Sequence, residues 1–97
     1  MQQLTGKQVR FLRGLGHHLQ PVVMIGKEAI SETLLASLEE ALAAHELIKV
    51  KLQEGCPLDR REAATLLAEK TGAAVAQVLG KTILLYRRGE KPKLNLP

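Results

Sequence analysis

The chain has 97 residues, 45% hydrophobic and 25% charged, the make-up of one globular domain with no room for two independent cores. Its net charge of +4 divides into +3 over residues 1–18, −3 over 19–79 and +4 over 80–97, and basic ends around an acidic middle point to a one-sided polyanion footprint. No apolar run approaches the ~20 residues that span a bilayer. The opening Met1-Gln2-Gln3-Leu4-Thr5-Gly6-Lys7 holds no apolar leader, and the lone Cys56 forms no internal disulfide, so a cytoplasmic protein with no membrane partner is expected.

Residues about 5–19 read as a helix. Phe11, Leu12, Leu15 and Leu19 recur on one side at helical spacing, and Lys7, Arg10, Arg13 and His17 on the other. The apolar side should face the core and the basic side solvent or ligand. Gly14 and Gly16 each weaken the end of this helix by roughly 1 kcal/mol relative to alanine, so it should fray before Pro21.

Pro21-Val22-Val23-Met24-Ile25 is short and continuously apolar, the pattern of a strand covered on both faces. It runs into Gly26-Lys27-Glu28-Ala29. A strand that stops at a glycine and feeds a helix is an ordinary turn, but it also aims free N–H groups and the positive helix end outward, where an anion would fit. Lys27 would add a charge-assisted contact.

Ser31 is placed to cap the next helix, in which Ile30, Leu34, Leu38 and Leu42 form a stripe and Glu32, Glu39 and Glu40 lie off it, up to His45-Glu46. Leu47–Leu52 then alternates, with Ile48, Val50 and Leu52 on one face and Lys49 and Lys51 on the other. That basic face either meets ligand or packs under the first helix. After the turn Glu54-Gly55-Cys56-Pro57, Asp59 and Glu62 form a capping box for a third helix, which reaches about Lys70, buries Ala63, Leu66 and Leu67, and stops at Gly72. Strands are expected at about 74–79 and 82–87, joined by a Gly80-Lys81 hairpin turn. Residues 89–97 read as an extended basic tail carrying Lys91 and Lys93.

The order α-β-α-β-α-β-β gives a compact single α/β domain over residues 1–97, two-layered or sandwiched, with a mixed four-stranded sheet. Its chemistry is mostly exclusion. Gly14-Leu15-Gly16 begins like a dinucleotide fingerprint, but it follows a helix and lacks the third small residue. His17, His18, His45 and Cys56 have no metal-site spacing. No activated nucleophile or paired carboxylate stands out, so no catalytic residue, cofactor, metal or small-molecule substrate is expected. With Phe11 and Tyr86 as the only aromatics, a base-stacking sheet is disfavoured, and any nucleic acid would be held by its phosphates.

Four blocks together resemble one family. They are Leu12–Lys27, His45–Leu52, Gln77–Arg87 and the ending Leu94-Asn95-Leu96-Pro97. The chain is similar to the CRM domain, the RNA-binding module named for chloroplast RNA splicing and ribosome maturation, in its stand-alone bacterial, YhbY-like form. The resemblance implies a fold like the C-terminal domain of the third bacterial translation initiation factor. It also implies association with ribosomal RNA in precursors of the large subunit, and an RNA contact centred on a Gly-x-x-Gly loop like that of KH domains. That loop falls on Gly26-Lys27-Glu28-Ala29, with alanine in place of the last glycine.

A positive φ at Ala29 would cost about 1 kcal/mol, whereas a helical φ would make alanine harmless. The second is expected here, because Ile30-Ser31 follows at once. The expected RNA-binding set is Gly26, Lys27, Glu28 and Ala29, the basic side of the first helix, and a stripe of Lys81, Arg87, Arg88, Lys91 and Lys93, with the protein acting as a monomer. The alternatives are a small basic adaptor for acidic protein surfaces and, less favoured, a DNA-binding domain, for which no helix pairs basic with amide residues.

Overall fold

Each helix begins where a side chain takes up its first free amides. The computed structural model describes residues 3–97; Met1 and Gln2, part of the opening stretch read for a leader, lie outside the described residues. The elements are α1 (Gly6–Gly16), β1 (Pro21–Ile25), α2 (Glu32–His45), β2 (Leu47–Leu52), α3 (Arg60–Thr71), β3 (Ala74–Leu79) and β4 (Thr82–Tyr86). Thr5 caps α1 in a box with Gln8, Ser31 caps α2, and Asp59 caps α3 in the expected box with Glu62. Gly72 closes α3 in the left-handed conformation, and the Gly80-Lys81 turn joins β3 to β4.

The first helix is shorter than expected. It ends at Gly16, and residues 17–19 turn back through His18 N–H to Leu15 O and Leu19 N–H to Gly16 O. Two glycines and the approaching Pro21 leave too little helix propensity to continue.

The sheet order is β1-β2-β4-β3, with β1 parallel to β2, and β4 antiparallel to both β2 and β3. β4 therefore returns between two strands that run the same way, which makes the sheet mixed. Its register puts Ile25 opposite Leu52 and Lys51 opposite Thr82. Val23, Ile25, Ile48, Val50, Leu52, Ile83 and Leu85 pack with Leu38 and Leu42 of α2 and with Ala63, Ala64 and Leu67 of α3 in one core. On the other face Leu12 of α1 packs with Leu47, Ala76, Leu84 and Tyr86. The fold is thus the sandwiched alternative, with helices on both faces.

Three packing expectations are corrected by this arrangement. β1 is not covered on both faces: Val22 and Met24 are 54% and 52% exposed, because α1 lies chiefly on β2 and β3 and leaves that side of the edge strand open. Of the apolar side of α1 only Leu12 is buried, while Phe11 and Leu15 stand at the rim. In α3 the buried positions are Ala63, Ala64, Leu67, Ala68 and Thr71, with Leu66 half-buried.

The tail is also not a free extension. Glu46, 1% exposed and at φ 64, follows α2 and turns its carboxylate toward residues 89–94. That carboxylate accepts the backbone N–H groups of Gly89 (2.8 Å), Lys93 (3.0 Å) and Leu94 (3.1 Å). Leu94 and Leu96 then pack against the Leu12–Tyr86 cluster. Burial pushes the Glu46 carboxyl up, but the three amides and the Lys93 charge outweigh it and hold the group below its ordinary range.

Candidate functional site

Where β1 ends, the chain closes a turn: Ala29 N–H donates to Gly26 O at 3.1 Å. Ala29 has φ 53, the left-handed conformation that a Cβ disfavours. The expectation of a helical φ at this position was wrong. Ile30 and Ser31 separate the turn from α2, so the turn is not the first turn of the helix. Ser31 Oγ meanwhile takes the N–H of Leu34 at 3.1 Å, so this end of α2 is occupied by its own cap.

A second turn braces the first. Gln53 N–H donates to Ile25 O at 2.8 Å, continuing the β1–β2 pairing by one step, and Cys56 N–H closes onto Gln53 O at 3.0 Å. The two turns interlock through their glycines. A Cβ on Gly26 would lie 2.9 Å from Gln53 Oε1, and a Cβ on Gly55 would lie 2.9 Å from Lys27 Cγ. The Lys27 stem therefore lies across Gly55, where a side chain would have to displace it, while one on Gly26 would meet only the mobile end of Gln53. Nothing in the composition of residues 53–56 pointed to this role; it follows from the register of β1 on β2.

The β-hairpin completes this end of the sheet. Leu52 N–H donates to Lys81 O at 2.8 Å, and Arg60 Nη1 donates to Gly80 O at 3.3 Å. Lys27 and Lys81 thus flank the end of β2 from either side, about two strand spacings or ~10 Å apart, with the exposed Lys51 between them. Arg60 joins the group without any signal in the sequence. Glu28 and Glu54 are exposed in the same turns. Asp59 is engaged as the α3 cap, and its hydrogen bonds from the Glu62 and Arg61 amides lower its pKa despite some desolvation. Beside the turn a cleft of about 470 Å³ runs between β1 and α2, lined by Val22, Met24, Gly26, Lys27, Ser31 and Ser37 among others.

The remaining expected residues occupy other places. Lys7, Arg10, Arg13 and His17 are all exposed along α1, on the other side of the sheet from α2 and α3. Lys81 and Arg87 flank β4 at opposite ends, ~20 Å apart at ~3.3 Å per residue, so the stripe from Lys81 to Lys93 is divided. Arg87 is committed within the fold, with Nη1 at 2.8 Å from Glu39 Oε2 and 2.9 Å from Thr71 O. Lys93 donates Nζ to Ala44 O as well as its amide to Glu46. Arg88 and Lys91 are exposed at that far end. Among the described residues no group of three His, Cys, Asp or Glu could hold a metal ion, and no helix is long and apolar enough to cross a membrane.

Comparison with known proteins gives concordant matches. Residues 4–87 match the model of the CRS1 / YhbY (CRM) domain. The chain is 42% identical over 97 residues to a Haemophilus influenzae protein named an RNA-binding protein, covering 100% of this chain and 98% of that one. It is 39% identical over 95 residues to YqeI of Bacillus subtilis, covering 97% and 99% of the two chains. The solution structure of SAV1595 from Staphylococcus aureus superposes with a TM-score of 0.82 at 38% identity, covering 98% of this chain and 100% of that one.

Proposed function

The chain belongs to the CRS1 / YhbY (CRM) domain family, and from that premise we propose that it is a non-catalytic RNA-binding protein acting on ribosomal RNA in precursors of the large subunit. The observation that carries this reading is the three-turn end of the sheet. Lys27 lies across Gly55 in a turn braced by Gln53, with Lys51, Arg60 and Lys81 beside it. A lysine held in this way approaches a phosphate with less conformational entropy to lose than one on a free loop. The exposed cations of α1 extend the positive surface without building a pocket for a small substrate. In this reading the protein works as a monomer in the cytoplasm.

Titration of RNA affinity against salt, with precursor and mature large-subunit RNA as ligands, tests the proposal. The affinity should fall linearly on a log–log plot. Lys27→Glu should weaken binding and lower the slope by about 0.7–0.9, the value for one phosphate no longer neutralised. Co-sedimentation of the protein with precursor large subunits, abolished at high salt, is the matching observation in a lysate. Wild-type RNA affinity in Lys27→Glu would remove the turn from the site. A protein that stays at the top of the gradient and binds no RNA would favour the adaptor reading instead.

A further inference from the structure

The site above accounts for phosphate contacts but not for an open strip of sheet. On the α1 side of the edge strand, Val22 and Met24 are 54% and 52% exposed, and Leu15 of α1 is 36% exposed. Between α1 and the β1–β2 pair runs a groove of about 510 Å³ lined by Leu15, Val22, Leu47 and Leu94 together with His18, His45 and Lys49. Every titratable side chain on its walls is a base. An apolar floor with the Lys49 ammonium on its wall and no acid beside it suits a ligand that presents a flat apolar body and a negative backbone. Val22 lines both this groove and the cleft beside the Gly26–Ala29 turn, so the two adjoin at the edge strand.

We infer that this groove is a subsite for unpaired RNA. On this assignment, which rests on the RNA-binding function proposed above, a strand leaves the Lys27 turn, crosses β1, and places an unstacked base against Val22 and Leu15, with its phosphates toward Lys49 and His18. The path from Ile25 to Pro21 is ~13 Å at ~3.3 Å per residue, so the turn and the groove are reached by neighbouring nucleotides of one strand. A paired helix keeps its base faces stacked and would not enter; only loops, bulges and ends offer a free base. The protein would therefore prefer RNA with a single-stranded segment, by aliphatic contact in place of aromatic stacking.

The test is fluorescence anisotropy with a labelled oligouridylate and a fully paired RNA duplex of the same length. The variant is the neutral pair Val22→Ser and Leu15→Gln. Both positions are exposed, and each single variant is measured as well should the pair lower stability. The folded variant should bind oligouridylate about tenfold more weakly, the low end of the loss expected for one base contact, with duplex affinity unchanged. Retained oligouridylate affinity, an equal loss on both ligands, or tighter binding of duplex than of single strand by the wild type would each overturn the subsite while leaving the phosphate grip intact. Displacement of oligouridylate by Lys27→Glu alone, with the groove variant unaffected, would do the same. A wild type that binds neither RNA, nor ribosomal RNA, would overturn the proposed function itself.

Discussion

Ala29 and Glu46 both sit at positive φ, at 53 and 64, and for different reasons. Ala29 must turn the chain from the edge strand back toward Ser31, and its left-handed conformation is a cost that a glycine would not bear. Ala29→Gly should therefore raise stability by about 0.5–1 kcal/mol in urea denaturation, the relief of Cβ strain exceeding the added freedom of the unfolded chain. The alanine itself could be read from the sequence; its φ could not, since two residues of loop lie between it and the helix. Glu46 bears its strain because three backbone amides of the tail converge on its carboxylate. Glu46→Gln should cost about 2 kcal/mol, the order of one charge-assisted hydrogen bond removed from a buried site. The sign with pH follows from the lowered pKa. The clasp contributes fully above the unfolded value of about 4.3 and is lost as pH falls through the depressed folded value. Urea midpoints of the wild type should drop in that acid window, and those of Glu46→Gln should drop less.

The elements were well marked by their caps, and their faces less so. Ser31, Asp59 and Gly72 act as expected because capping is local chemistry within a few residues. Phe11 and Leu15 fit a helical stripe yet remain at the rim, since a periodic pattern does not say how much sheet the helix will cover. The helix α1 offers a direct test through its two glycines. A Cβ on Gly14 would meet nothing within 4 Å, whereas one on Gly16 would lie 2.8 Å from Leu84 Cδ2. Gly14→Ala should stabilise the protein by about 0.5–1 kcal/mol through helix propensity. Gly16→Ala should destabilise it by about 1 kcal/mol, because Leu84 is packed in the sheet and must shift. Thermal melts of the two variants should move in opposite directions; equal shifts would mean that α1 does not sit closely on β4.

Over the molecule as a whole, the cations form separate groups. Lys27, Lys51 and Lys81 share the end of the sheet where β2 finishes, Lys7, Arg10 and Arg13 run along α1, and the cations from Arg87 onward stand at the opposite end, where Arg87 and Lys93 also hold the fold together. If RNA spans the first two groups, the losses in binding free energy from Lys27→Glu and Arg13→Glu should add in the double variant to within about 0.5 kcal/mol, as for sites without shared partners. A double variant no weaker than either single one would confine RNA to one group. The element order, the caps, the mixed α/β class and the basic ends were all present in the sequence, because propensity, periodicity and charge are carried by short stretches. The bracing of Lys27 by Gln53 and Gly55, the φ of Ala29, the clasp of Glu46 on the tail and the open side of β1 were settled by the fold. Each depends on which strands become neighbours and in what register, and residues as far apart in the chain as Glu46 and Leu94 meet only once that pairing is made.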